Sequence, residues 1–105
     1  AKPAEARAAA TRSFGPADWT ALCDVDRRAT GMCRERLLRT LIAAGECQVI
    51  EHDGVLGGYA VFRRWGRGHV IGPVVAHDAA DARALIAAQL ASQIGNFVRI
   101  DVTAA

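Results

Sequence analysis

Two kinds of hydrophobic periodicity meet near Gly45. Before it, apolar residues recur at three- and four-residue intervals: Trp19, Leu22, Cys23 and Ala29 in "FGPADWTALCDVDRRATG", then Leu37, Leu38, Leu41 and Ile42 in "MCRERLLRTLIAAG". Such spacing gathers apolar side chains on one face of a helix, with Arg34, Glu35 and Arg39 opposite, and it predicts two helices in tandem. Pro16 suits a first helical turn, and Gly31 and Gly45 supply the stops.

Beyond Gly45 the pattern becomes extended. "CQVIEH" and "VLGGYAVFRRW" predict two strands joined through Asp53-Gly54, a dipeptide that favours a tight hairpin. "GHVIGPVVA" predicts a third strand, antiparallel to the second through the short "GRG" link; Gly72-Pro73 removes a ladder donor in its middle, so a bulge or a splayed edge is expected there. A helix over "DAADARALIAAQLASQI", stopped at Gly95-Asn96, leads to a last strand in "FVRIDV". Strand, helix, strand implies a right-handed crossover and a parallel pair. The expected fold is therefore α/β, a mixed and largely antiparallel sheet in the order α-α-β-β-β-α-β. Residues 1–13, Ala-rich and without an apolar face, read as a linker ahead of a domain spanning 14–105.

Composition narrows the function classes. A chain of 105 residues has room for one domain with one core, and 51 % hydrophobic against 23 % charged residues is ordinary globular usage. The net charge of +2 comes from scattered arginines, so nothing calls for a nucleic-acid partner. The densest cluster, Arg63, Arg64 and Arg67 around Trp65, could touch phosphate but reads as a solvated hairpin end. Cys23, Cys33 and Cys47 form no even-numbered framework and follow no secretory signal, which points to free thiols in a reducing cytoplasm. Cys47 with His52 lacks the close pairing of a zinc site, so no metal is expected. No apolar run approaches the ~20 residues that cross a bilayer.

Particular residues sharpen the picture: Asp26 followed by Gly31 and Arg34-x-x-Leu37-Leu38, Gly57-Gly58-Tyr59 in a strand ending at Arg63, "HVIGPVVA" with Ala82 and Leu85-Ile86 downstream, and "VRIDV". Over about residues 14 to 103 the chain resembles the GNAT superfamily of acyl-CoA-dependent N-acyltransferases, and within it the C-terminal domain of bacterial proteins with two tandem GNAT domains. The resemblance implies acetyl transfer from acetyl-CoA to a small-molecule or peptide amine. It implies that the strand over 69–76 parts from its neighbour at 97–103, that an amide near Val74 or Val75 polarises the thioester, and that the turn over His77, Ala80, Asp81, Ala82 and Arg83 receives the pyrophosphate. The family's final helix and two closing strands have no counterpart before Ala105. The strand at 97–103 would then be an open edge, available to a second copy or a second GNAT domain.

The turn itself departs from the family's R/Q-x-x-G-x-G/A pattern. It reads "HDAADA", with Ala80 and Ala82 at the glycine positions and Asp78 placed to cap the helix with Asp81 three residues on. Carboxylates there oppose a phosphate by roughly 1 kcal/mol. Two readings therefore stand: an active N-acetyltransferase, or a catalytically inactive GNAT-like binding or regulatory domain. For the base that deprotonates the amine, the candidates are His69, Glu51, His52 and Asp101. His69 leads because its pKa range and strand suit the task.

Overall fold

A computed structural model describes residues 9–92 and 98–100. The chain begins with strand β1 (Ala9–Ser13), passes through a single 3-10 turn (Pro16–Asp18) into helices α1 (Trp19–Thr30) and α2 (Glu35–Ala44), and continues through strands β2 (Glu46–His52), β3 (Val55–Trp65) and β4 (Gly68–Val75). Helix α3 (Ala79–Ser92) and strand β5 (Val98–Ile100) complete it. The sheet order is β1-β2-β3-β4-β5, antiparallel throughout except for the parallel β4–β5 pair that the α3 crossover creates. The mixed, largely antiparallel sheet expected from the sequence is what the chain forms.

The order gains one strand at its start. Residues 9–13, expected within a linker, pair with β2 from Ala9↔His52 to Ser13↔Gln48. All five are exposed, so no apolar alternation betrays the strand. Its fixing is polar instead: Arg12 reaches Glu51 on β2 (2.8 Å) and grips both oxygens of Asp18 (2.7 and 2.8 Å), and the Phe14 N–H donates to the Cys47 carbonyl (2.9 Å).

Strand alternation sorts the core into two layers. Val49, Tyr59, Val61 and Val75 face α1 and α2, where Leu22, Cys23, Val25 and Leu38 cover them. Their alternate neighbours Ile50, Ala60, Phe62, Ile71 and Val74 face α3, packed on Leu85. Because β2, β3 and β4 are covered on both sides, they read as nearly continuous apolar runs rather than as alternation. Asp53 (φ 54) and Gly54 (φ 81) both take left-handed geometry in the β2–β3 hairpin, as a two-residue primed turn requires. Gly31 closes α1 in the same geometry (φ 75), its N–H donating to the Arg27 carbonyl at 2.7 Å.

The β4 irregularity falls where Gly72-Pro73 placed it. Ala60 pairs with Val74 and Phe62 with Ile71, so Gly72 and Pro73 together stand against Val61 alone. Side chains satisfy carbonyls at this bulge: Arg63 Nε donates to Gly72 O and the fully buried Gln89 Nε2 to Ala60 O, each at 2.8 Å. Parallel pairing with β5 is seen for His69, Val70 and Ile71. The implied parting of the two strands beyond Ile71 involves residues 101–103, which lie outside the described residues, as does Asp101 itself.

Candidate functional site

An open cleft of about 840 Å³ lies where three segments converge: the last turns of α1 (Val25, Arg28, Ala29), the β2–β3 hairpin (His52, Leu56, Gly57) and the β4–α3 turn (Val75 to Asp78). Its size is that of a small-molecule site, and its walls are mainly aliphatic with a few polar groups. Gly58 makes the close approach of β3 and β4 at its floor possible, since a Cβ there would stand 2.5 Å from the Val75 carbonyl oxygen.

At the β4–α3 turn, Asp78 caps α3: its Oδ1 accepts the Asp81 N–H at 2.9 Å, while its carbonyl accepts the Ala82 N–H at 3.1 Å. Two of the first-turn donors are therefore committed. The N–H groups of Ala79 and Ala80 make no hydrogen bond among the described residues, and both residues are exposed. A helix N-terminus with amides in that state favours an anion through their partial positive charge. Ala82 turns its methyl to the α3 core instead, and Arg83 lies exposed on the next turn.

Asp81 corrects the sequence expectation. Its side chain is not presented to solvent at the turn: it is 4 % exposed, and its carboxylate accepts from His52 Nε2 at 2.8 and 3.0 Å across the gap between α3 and β2. A buried carboxylate needs such a partner. The contact fixes the His52 ring at the cleft wall and favours the tautomer with the proton on Nε2.

His69 is corrected as well. It stands six residues before Val75, about 20 Å away along the strand. There its ring stacks on Phe62 (centroids 4.9 Å apart, planes at 12°), beside a separate hollow of about 300 Å³ bordered by Gly45, Glu46 and Arg64. That places it in packing at the strand's start, at the wrong end of β4 for a base in the cleft. Glu51, another candidate, is engaged by Arg12. Of the three candidates within the described residues, His69, Glu51 and His52, only His52 lines the cleft; His77 and Val75 line it too, while Val74 is buried on the α3 side.

One arrangement went unread in the sequence although its residues were singled out. Asp26, 1 % exposed on the inner face of α1, accepts from Arg34 Nε (2.8 Å) and Nη2 (2.6 Å) and from the Tyr59 hydroxyl (2.6 Å). Burial pushes the Asp26 carboxyl up, but the Arg34 and Tyr59 hydrogen bonds outweigh it and hold the carboxyl below its ordinary range. Burial, with the Asp26 contact, pushes the Tyr59 phenol well above its usual value, so it remains a donor. This network ties α1, the α1–α2 loop and β3 together. The three cysteines carry no chemistry of comparable standing: Cys23 and Cys47 are buried, with the Cys47 thiol pushed up to about 12 by burial, and Cys33 is exposed. No group of three potential metal ligands occurs among the described residues. No described helix is long and apolar enough to cross a membrane.

The family model of the acetyltransferase (GNAT) domain matches residues 22–105, and the chain belongs to that family. No curated protein matches. Solved structures share the fold. An acetyltransferase of the GNAT family from Bacillus cereus superposes with a TM-score of 0.71 at 13 % identity, over 79 % of this chain and 63 % of its own. A GNAT-family acetyltransferase from Brucella melitensis, in complex with acetyl-CoA, gives 0.68 at 19 % identity, over 85 % and 70 %. N-acetylglutamate synthase from Neisseria gonorrhoeae, complexed with coenzyme A and L-arginine, gives 0.66 at 22 % identity, over 90 % of this chain and 24 % of that one. This chain thus spans less than two thirds of the Bacillus protein and about a quarter of the Neisseria enzyme.

Proposed function

We propose that the domain transfers an acetyl group from acetyl-CoA to an amine, with the cleft as its site. The observation that carries the reading is the β4–α3 turn: β4 bulges at Gly72-Pro73, ends against the cleft, and hands over to a helix whose Ala79 and Ala80 amides are uncommitted. Those two donors fit a pyrophosphate without any basic side chain. The acetyl-CoA in the Brucella structure and the coenzyme A in the Neisseria structure lend support, being ligands of proteins with this fold.

Acetyl-CoA supplies an acyl thioester, whose carbon an amine can attack with loss of the thiolate. What this chain contributes is positioning and proton handling. An amide near Val74 or Val75 takes the role of polarising the carbonyl. His52, held by Asp81 and facing the cleft, is the residue best placed to accept the ammonium proton, directly or through water. Isothermal calorimetry with acetyl-CoA, followed by a thiol-release assay over a set of amines, tests the reading. Binding together with amine-dependent thiol release supports it; absence of binding at millimolar acetyl-CoA refutes it. In that assay His52→Gln lowers turnover at least tenfold with the acetyl-CoA affinity retained.

A second reading is favoured by one observation. Asp78 spends a carboxylate oxygen on the Asp81 amide and leaves a negative charge beside the turn, and neither Ala80 nor Ala82 offers glycine's backbone freedom. Weak or absent binding of acetyl-CoA would make the domain a catalytically inactive GNAT-like module that serves as a binding or regulatory domain of a larger protein.

A further inference from the structure

The cleft contains a cation that the acetyl-transfer reading leaves without work. Arg28, on the last turn of α1, borders the cleft, and its one hydrogen bond is a long one to the Asp24 carbonyl (3.4 Å). Arginines around it are all matched. Arg27 takes the Asp24 carboxylate at 2.8 Å, Arg34 takes Asp26, and Arg12 takes Asp18 and Glu51. The nearby acids have partners of their own: Asp78 accepts the Asp81 amide through one oxygen on the opposite, β4–α3 side of the cleft, and Asp81 accepts from His52. Among the described residues no carboxylate pairs with Arg28, so the cleft has one exposed guanidinium with donors to spare at its α1 side and aliphatic walls from Val25, Leu56 and Val75.

A planar guanidinium with donors to spare recognises a carboxylate through two parallel hydrogen bonds, and aliphatic walls suit a short apolar body beside it. We propose that the acceptor amine carries a carboxylate, held by Arg28, and an apolar side group against the walls: a free amino acid, whose α-amine and α-carboxylate sit on one carbon. This rests on the acetyl-transfer reading for the fate of the amine, but the carboxylate site itself does not depend on it.

The test is therefore direct binding, with N-acetyl-leucine as the probe and N-acetyl-leucinamide, which lacks only the charge, as its control. Each is titrated into the full chain and followed by ¹H–¹⁵N NMR, including the Arg28 Nε–H signal. The carboxylate is expected to bind at least tenfold more tightly than the amide, to shift the Arg28 signal, and to lose its advantage in Arg28→Ala; Arg28→Lys, which keeps the charge without the fork, retains part of it. Acetyl-CoA affinity is expected to be the same in wild type and Arg28→Ala. Equal affinities for the two probes, or no binding of either, overturns the proposal. So does a selective loss of acetyl-CoA affinity in Arg28→Ala, which would give Arg28 to the co-substrate's phosphates. Failure of acetyl-CoA to bind while the carboxylate preference persists would instead overturn the transfer reading and leave this site standing.

Discussion

Removing the Asp26 carboxylate is the most demanding test of how α1 is held over the sheet. Asp26→Ala strips three charge-assisted hydrogen bonds at 2.6 to 2.8 Å from a position that is 1 % exposed, and leaves the Tyr59 hydroxyl buried without its acceptor. Deleting one partner of a buried pair costs about 3–5 kcal/mol. A domain of this length holds roughly 5–15 kcal/mol in all, so the loss is a large share of the total. Tyr59→Phe, which takes away a single hydrogen bond to a charged group, should cost about 1.5–3 kcal/mol. Urea unfolding of the two single variants and the double variant at pH 7 gives both costs and their coupling. Strict additivity, or an Asp26→Ala cost below about 1 kcal/mol, would show that the network contributes little. Its pH dependence has a defined sign. The folded carboxyl titrates below its unfolded value, so its stabilisation is present above the unfolded pKa and disappears as pH falls through the folded one. Asp18, brought down to about 2 by Arg12, acts in the same direction, so wild type should lose stability progressively between about pH 4 and pH 2. Asp26→Ala should show a shallower acid loss over the same range.

Three further outcomes follow from close contacts in the site and core. Gly58→Ala forces β4 away at Val75, where the new Cβ would stand 2.5 Å from a carbonyl oxygen, and should cost about 1–3 kcal/mol in urea unfolding as well as weaken acetyl-CoA; wild-type values for both would show the floor to be pliant. Asp78→Asn keeps a cap of similar strength and removes a charge worth roughly 1 kcal/mol against a phosphate, so calorimetry should find acetyl-CoA bound about fivefold more tightly; unchanged affinity removes charge as the obstacle. A coloured disulfide reagent should titrate Cys33 quickly in the native protein and all 3 cysteines only in denaturant. A second fast native thiol would contradict the burial of Cys23 and Cys47.

What the sequence disclosed follows from which signals are local. The Asp53-Gly54 turn, the two tandem helices and the Gly72-Pro73 irregularity each announce themselves within a few residues, because backbone geometry there depends on residue type. β1 does not, since Ala9–Ser13 pairs with β2 through main-chain bonds and an Arg12 anchor while burying no side chain. Gly45 was legible as the end of α2 but not for its second reason, the Phe62 carbonyl lying against it from β3, which excludes any Cβ. The site suffered most from this limit. Strand periodicity tells which face a residue occupies but not which end of the sheet the cleft opens at, so the sequence favours His69 over His52, and only the placing of β4 and α3 reverses the order. Asp81 read as a second carboxylate at the helix start; only the crossing of α3 over β2 turns it inward onto His52. Asp26, Arg34 and Tyr59 stood out through family resemblance alone, and their junction spans 33 residues between Asp26 and Tyr59.

The central claim is that main-chain donors at the start of α3 receive the pyrophosphate of acetyl-CoA. Titrating acetyl-CoA into ¹⁵N-labelled protein and following backbone amides addresses it residue by residue. The Ala79 and Ala80 signals are expected to move downfield and saturate together, with Asp81 and Ala82, already bonded to Asp78, changing little. Saturation of the protein with no movement at Ala79 and Ala80, or no saturation at millimolar acetyl-CoA, would contradict it.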